Sequence, residues 1–314
     1  MRNKLLAKNT VASLIAQITT LICGFILPRL FLQHFGSEVN GLVNSIVQFL
    51  SVISFLELGV GAVVESSLYK PLAEKDNQQI SKVMVSANKF FQRLAQILFI
   101  YVLILMLVYP LIANQNLGFL YTATLIAAIS ISSFAQYYFG IANALLLNAD
   151  QRGYIQYNAQ TVTVVLNTAV CAVMISMNGT IQMVKLATSL IYLARPLALH
   201  FYVKRHYQID WKIKYTEEPI KQKWNGVAQH IAAVVLDGTD TIVLTVFSTL
   251  SNVSIYSVYF LVIKGVKTLF LSMTNGVQAL IGELWAKQEL EKLKGFFAWV
   301  EWVIHTGTTY VFSC

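Results

Sequence analysis

The sequence predicts an all-α integral membrane protein: a multi-span helical bundle with a six-span N-terminal lobe and the start of a parallel-repeat C-terminal lobe. Hydrophobic residues make up 56% of the 314 residues, charged residues only 12%, and the mean hydropathy is +0.59. Soluble chains carry roughly 25% charged residues. Half that density cannot cover a water-facing surface, but it suits a surface in contact with lipid.

The apolar segments define the organisation of the chain. A membrane helix needs about 20 mostly apolar residues, and eight segments meet this requirement before a ninth begins. They are Thr10–Leu32, Gly41–Val64, Leu94–Ala113, Phe119–Leu147, Ala159–Met177, Ile181–Val203, Val227–Leu250, Ser254–Ile281, and Phe296 to the end. We expect an N-terminal lobe over 1–205 with six spans, a cytoplasmic basic linker over 206–226, and a partial C-terminal lobe over 227–314 with two to three spans.

The distribution of positive charge predicts the orientation. Eighteen of the 23 Lys and Arg residues lie in the N-terminus and in the connections after even-numbered spans, and the opposite connections carry none. The positive-inside rule therefore puts the N-terminus on the cytoplasmic side. This placement also argues against nucleic-acid binding. Apolar and charged residues alternate at roughly helical spacing in two inner segments, Ser67–Phe91 and Glu283–Lys294. This pattern is typical of amphipathic helices that lie along the lipid headgroups. Simple connectors fit the two segments equally well.

A weak internal repeat is present. The stretch Ser37–Ser45 opens the second span and Ser251–Tyr259 opens the eighth, each after a short outer turn, at an offset of about 215 residues. Six intervening spans keep the orientation, which predicts two parallel lobes. A second lobe of six spans would extend past Cys314, so the chain has the features of a truncated form of a longer protein. The alternative is a natural end after a ninth span.

Ionisable groups inside spans are costly and are candidates for a functional site. Arg29 follows Pro28 in the outer third of span 1. At this depth its side chain could equally well snorkel to the headgroups or line a cavity. Lys185 is close to the outer end of span 6, which favours snorkelling. Arg195 lies about 15 residues into the same span, roughly 22 Å deep, and we expect it to line a cavity.

The seventh and eighth spans carry charges at matching depths. Asp237 and Asp240 share one helix face, as do Lys264 and Lys267. In an antiparallel hairpin Asp237 and Lys264 would meet near the midplane, either as an ion pair or as substrate ligands. Lys267 would then remain as a cation facing a cavity. Glu57 in span 2 is either a protonatable coupling group or a hydrogen-bonded carboxyl.

The charges within the spans indicate the class of substrate. Five cations against three anions suit a phosphate-bearing substrate, because Arg and Lys bind diphosphate well. An exporter of cationic drugs would need the reverse. The sequence contains no phosphate-binding Gly-Lys-Ser/Thr loop, no zinc-spaced histidine pair and no defensible nucleophile triad, so we expect neither an enzyme nor a bound metal or cofactor.

Several short motifs follow one another in the first 160 residues. They are Asn9 after a basic start, Pro28-Arg29-Leu30, Phe35-Gly36, Gly41-Leu42, Glu57-Leu58-Gly59-Val60-Gly61, and Leu68-Tyr69-Lys70-Pro71-Leu72-Ala73-Glu74-Lys75-Asp76. In order and spacing this set resembles the Wzx-type polysaccharide flippases, which share a superfamily with the MATE drug exporters and the lipid II flippases.

The resemblance implies 12 to 14 spans in two lobes and a location in the bacterial cytoplasmic membrane. It implies export of undecaprenyl-diphosphate-linked oligosaccharide for surface polysaccharide synthesis. The partners would be that lipid-linked sugar, membrane lipids and polysaccharide polymerase machinery. Arg29, Arg195, Lys264 and Lys267 are the candidate substrate ligands, and Glu57, Asp237 and Asp240 the candidate coupling or ion-pair groups. Two alternatives remain open: a drug or solute exporter of the same superfamily, and a membrane assembly factor that transports nothing.

Overall fold

The computed structural model describes residues 2–112, 117–220, 235, 239–267 and 290–313, with side chains for all of these except 2–7, 10, 54–58, 311 and 312. In this part of the chain every regular element is helical. The chain divides into two compact units, Met1–Ser257 and Val258–Cys314. The first unit carries the candidate site.

The helices follow one another with short connections. They are α1 (Arg2–Ser51), α2 (Ser54–Glu74), α3 (Asn77–Ile112), α4 (Phe119–Ala135), a π-helical turn (Gln136–Gly140), α5 (Ile141–Ala149), α6 (Tyr154–Ser176) and α7 (Ile181–His206). Residues 239–247 (α8) and 250–267 (α9) are also helical, and α10 covers Leu290–Ser313.

Five described helical segments are long and apolar enough to cross a membrane: Val11–Ser51, Asn77–Ile112, Phe119–Ala149, Tyr154–Ser176 and Ile181–His206. This confirms the prediction of an all-α, multi-pass membrane protein. The number of spans in each lobe and the division into lobes stay predictions. Parts of the predicted seventh and eighth spans, 227–234, 236–238 and 268–281, lie outside the described residues, as do 283–289 of the second amphipathic segment.

The helix breaks differ from the predicted ones. Between the first two predicted spans the structure has a single non-helical residue, Gly36, whose φ of 80° suits a residue without a side chain. The helix that follows ends at Ser51, and α2 begins only at Ser54. The predicted continuous span over Gly41–Val64 is therefore two helices, which apolar content alone could not show.

The first amphipathic segment also differs from its prediction. Its residues 77–91 form the first half of α3 rather than a separate helix along the headgroups. Their apolar face packs into the protein core, where Met84 and Phe91 are fully buried. The helical spacing in this segment thus indicates burial against protein.

The described part of the basic linker after α7, residues 207–220, packs along this half of α3. The backbone amide of Asp210 donates a hydrogen bond of 3.0 Å to the Ser81 hydroxyl, Ser86 donates to the Glu218 carboxylate, and Ile220 is buried. At its start, Tyr207 donates a 2.5 Å hydrogen bond to Asp150. Burial, reinforced by this bond, raises the pKa of the Tyr207 hydroxyl.

Candidate functional site

A cavity of about 500 Å³ with several polar side chains in its walls lies in the first unit. Its walls are the end of α1 with the break after it, α4 with the π-helical turn, and α7. The break contributes Ser51 and Ile53. Interrupted helices are where membrane proteins bring backbone polar groups to a cavity, because an exposed break in lipid would be too costly.

One face of α7 supplies the charged wall. Lys185, Thr188, Tyr192 and Arg195 all line the cavity, and their spacing of i, i+3, i+7 and i+10 keeps them on one side of the helix. Ten residues separate the two cations, which is about 15 Å along the axis. The backbone positions of the two cations are therefore well separated along this wall.

The facing wall carries uncharged polar groups. Ser132, Ser133 and Gln136 line the cavity from α4 and the π-helical turn. Such turns are rare and are frequent at functional sites. Gly140 closes the turn, and a Cβ atom there would be 2.9 Å from Cβ of Pro196. The missing side chain thus lets the turn approach α7 beside Arg195.

Lys185 does not have the environment expected of a snorkelling side chain. Its ammonium nitrogen lies 4.3 Å from the ring centroid of the buried Phe31 on α1. A cation over an aromatic face is stabilised by the ring quadrupole. The interpretation of Lys185 as an outer-surface snorkeller is therefore corrected: the side chain turns inward and lines the same cavity as Arg195.

The remaining predicted site residues are distributed differently. Arg29 has an exposed side chain and is not among the residues that line the cavity. Lys264 and Lys267 belong to the second unit, where their side chains are exposed. Asp240 accepts a 2.6 Å hydrogen bond from Tyr256, a partner that sequence spacing did not indicate.

Two predicted groups cannot be placed. The side chain of Glu57 and the whole of Asp237 lie outside the described residues. The proposed Asp237–Lys264 ion pair and the coupling role of Glu57 therefore stay predictions.

The sequence contained a signal for the residues that were missed. Polar residues recur at helical spacing through the apolar span of α7 and again at Ser132, Ser133 and Gln136 of the facing wall. A polar stripe in an otherwise apolar helix marks the face that avoids lipid. The charged residues taken one at a time do not reveal these stripes.

A second feature is a polar seam between α1 and α9, formed by three side-chain pairs. Ser37 and Ser251 are 3.1 Å apart, Asn40 donates to Ser254 at 2.7 Å, and Asn44 donates to Ser257 at 2.8 Å. The partners are separated by 214, 214 and 213 residues. A nearly constant offset means that the two helices run in the same direction along the seam.

The backbones of α1 and α9 approach each other closely at the seam. A Cβ atom on Gly41 would be 1.8 Å from the carbonyl oxygen of Leu250. Beside it, Ser45 is buried, lies 2.7 Å from the Thr245 hydroxyl and accepts a hydrogen bond of 2.6 Å from Tyr109. Polar side chains and glycine are the usual means of joining helices in lipid, where the hydrophobic effect between helices is absent.

The charged side chains among the described lining residues of the cavity are all positive. Two of its described lining residues are cations and none of them is acidic. Among the described residues no group of His, Cys, Asp and Glu could hold a metal ion. Searches against family models, curated proteins and solved structures find no match to the chain.

Proposed function

We propose that the chain acts as a flippase that moves undecaprenyl-diphosphate-linked oligosaccharide across the bacterial cytoplasmic membrane for surface polysaccharide synthesis. The observation that carries this proposal is the cavity lined by both Lys185 and Arg195, with no acid among its described lining residues. Arg and Lys bind diphosphate well, so a cavity whose charged lining residues are both cations suits an anionic headgroup.

The two cations suit a diphosphate in different ways. The guanidinium of Arg195 offers a planar pair of donors that matches two phosphate oxygens, whereas the ammonium of Lys185 acts as a compact point charge. Their separation of about 15 Å along α7 would let the headgroup pass from one to the other without leaving the field of a positive charge. The hydroxyl and amide groups of the facing wall suit the sugar hydroxyls.

The polar seam supports the proposed pair of parallel six-span lobes. The pairs Ser37–Ser251 and Asn40–Ser254 join residues that occupy equivalent positions in the predicted repeat. Residues that lie beside a two-fold axis touch their own equivalents. We infer a pseudo-two-fold axis at the seam, along the membrane normal, with the N-terminus inside. Membrane lipids and the polymerase machinery would be the neighbours of such a transporter.

Removal of the Arg195 charge tests the proposal. In cells that lack their own flippase, Arg195→Ala should reduce polysaccharide export about tenfold to a hundredfold, because a hydrogen bond to a charged group contributes about 1.5–3 kcal/mol. Arg195→Lys should retain part of the activity, and Lys185→Ala should also reduce it. A blot for membrane abundance would accompany each assay.

The control is Lys70→Ala, since Lys70 is 82% exposed and lies outside the cavity. Its export should equal that of the unaltered chain. Full export by Arg195→Ala, or equal loss in Lys70→Ala, would contradict the proposal. Export of a cationic dye in place of the lipid-linked sugar would indicate a drug exporter. Abundant protein that moves neither would indicate an assembly factor.

A further inference from the structure

A second concave surface lies on the opposite side of α4 from the cavity. It is a groove of about 540 Å³ between α3 and α4, with Phe99, Val102 and Met106 on one side, Ala127 and Phe134 on the other, and Leu193 of α7 at its edge. Its volume is in the range of ligand pockets, 300–1,000 Å³. Phe99 is 56% exposed. The groove is therefore open at the surface of the protein.

The groove offers almost nothing to a polar ligand. Ser130 is the one polar residue among its described lining residues, and its hydroxyl donates a 2.9 Å hydrogen bond to the Ala127 carbonyl of its own helix. The surrounding helices are among those that can cross a membrane. An apolar groove between helices of this kind fits the hydrocarbon chain of a lipid.

A row of aromatic rings leads from the groove towards the basic end of α7. Ring centroids are separated by 6.4 Å between Phe99 and Phe134, 5.8 Å between Phe134 and Tyr138, 4.7 Å between Tyr138 and Phe139, and 6.1 Å between Phe139 and His200. Flat rigid rings supply a large contact area at low conformational cost.

The row ends next to a positive charge. Leu193, His200 and Lys204 are spaced i, i+7 and i+11 on α7 and share one face. Lys204 is exposed, and the last turn of α7 consists of Lys204, Arg205 and His206. The eleven residues from Leu193 to Lys204 cover about 16 Å, close to half of a hydrocarbon core about 30 Å thick.

We propose that this surface binds one anionic phospholipid, with an acyl chain in the groove and the headgroup at Lys204. The lipid comes from the leaflet that faces the basic end of α7. The inference is independent of the proposed transport function, because groove and cavity lie on opposite faces of α4. The lipid in the groove would be bound and not transported.

The test uses the purified full chain and phosphatidylglycerol with a diazirine in its acyl chain, followed by mass spectrometry of the labelled peptides. Labelling should concentrate in residues 98–106 and 127–139. Ala127→Phe fills the groove and should lower this labelling at least fivefold. Lys204→Gln should lower it about fivefold, since a basic residue near anionic headgroups contributes about 1 kcal/mol. Phosphatidylcholine with the same chains should label weakly.

Matched controls keep the outcome clear. Val173→Phe introduces the same side chain on another exposed helix face, and Lys212→Gln removes an exposed lysine elsewhere; neither should change the labelling. Ala127→Leu serves if Ala127→Phe elutes as aggregate. Even labelling of all apolar helices, or labelling unaffected by the Ala127 variants, would overturn the site. Equal labelling by phosphatidylcholine, unchanged in Lys204→Gln, would overturn the assignment of the headgroup.

Discussion

Glu65 is a partly buried carboxyl just past the apolar segment that ends at Val64. Asn148 donates a 3.0 Å hydrogen bond to its Oε1 atom. Burial raises the pKa of Glu65, and the Asn148 bond offsets only part of that rise. The folded protein therefore holds the Glu65 proton more tightly than the unfolded chain does.

This difference predicts a pH-dependent stability. The contribution of Glu65 is fully present below its ordinary pKa of about 4.3 and is lost as pH rises through the raised pKa. Glu65→Gln stays neutral and can still accept from Asn148, so its melting temperature in detergent should fall less between acid and neutral pH. The exposed Glu74→Gln is the control. Identical pH profiles for Glu65→Gln and the unaltered chain would refute the assignment.

At the scale of elements, the contact between α1 and α9 depends on one glycine. A side chain at Gly41 would overlap the Leu250 backbone, which cannot move aside as a flexible side chain could. Gly41→Ala should therefore force the two helices apart and lower the free energy of unfolding by about 1–3 kcal/mol, the usual cost of overpacking. Denaturant unfolding in detergent measures this change.

Gly295 provides the comparison for Gly41, because it also lies inside a helix but has no atom within 4 Å of an added Cβ. Gly295→Ala should be neutral or stabilise by up to about 1 kcal/mol, as expected from helix propensity. Equal effects at the two positions would mean that the close approach at Gly41 does not limit packing.

The polar seam also predicts a specific cross-link. After replacement of Cys23, Cys171 and Cys314 by Ser, the pair Ser37→Cys and Ser251→Cys should form a disulfide on mild oxidation, because the two hydroxyl oxygens are 3.1 Å apart. Loss of both maleimide-reactive thiols reports the bond.

The matched control pairs Ser37→Cys with Asn252→Cys. Asn252 is the next residue, but its side chain donates to Ser248 of the neighbouring turn rather than towards α1. These thiols should stay free. Equally fast oxidation of the control pair would show that the seam is not held in the described register.

At the scale of the whole molecule, the predicted orientation can be tested with two exposed residues. Asn252 lies in the connection expected outside, and Lys214 lies in the basic linker expected inside. In intact cells an impermeant maleimide should label Asn252→Cys but should label Lys214→Cys only after permeabilisation. Labelling of Lys214→Cys in intact cells would reverse the topology.

The class of the fold and one residue of the candidate site could be predicted from the sequence. Arg195 was selected because its depth made snorkelling costly, and the structure places it in the cavity. Lys185 was misjudged for a related reason: distance from the end of a span says nothing about neighbouring rings such as Phe31. The groove between α3 and α4 was not predictable, because its two sides come from different helices.

Composition and periodicity determined by themselves that the chain is helical and multi-pass, since apolar length and charge density are local properties that the bilayer selects directly. A repeat between 37–45 and 251–259 was also predicted from the sequence and stays a prediction. Only the tertiary structure decided that these stretches touch along a seam, that the span over 41–64 is broken, and that Lys185 and Arg195 share one cavity. These features depend on contacts between residues far apart in the chain, and their distances are set by packing rather than by sequence spacing.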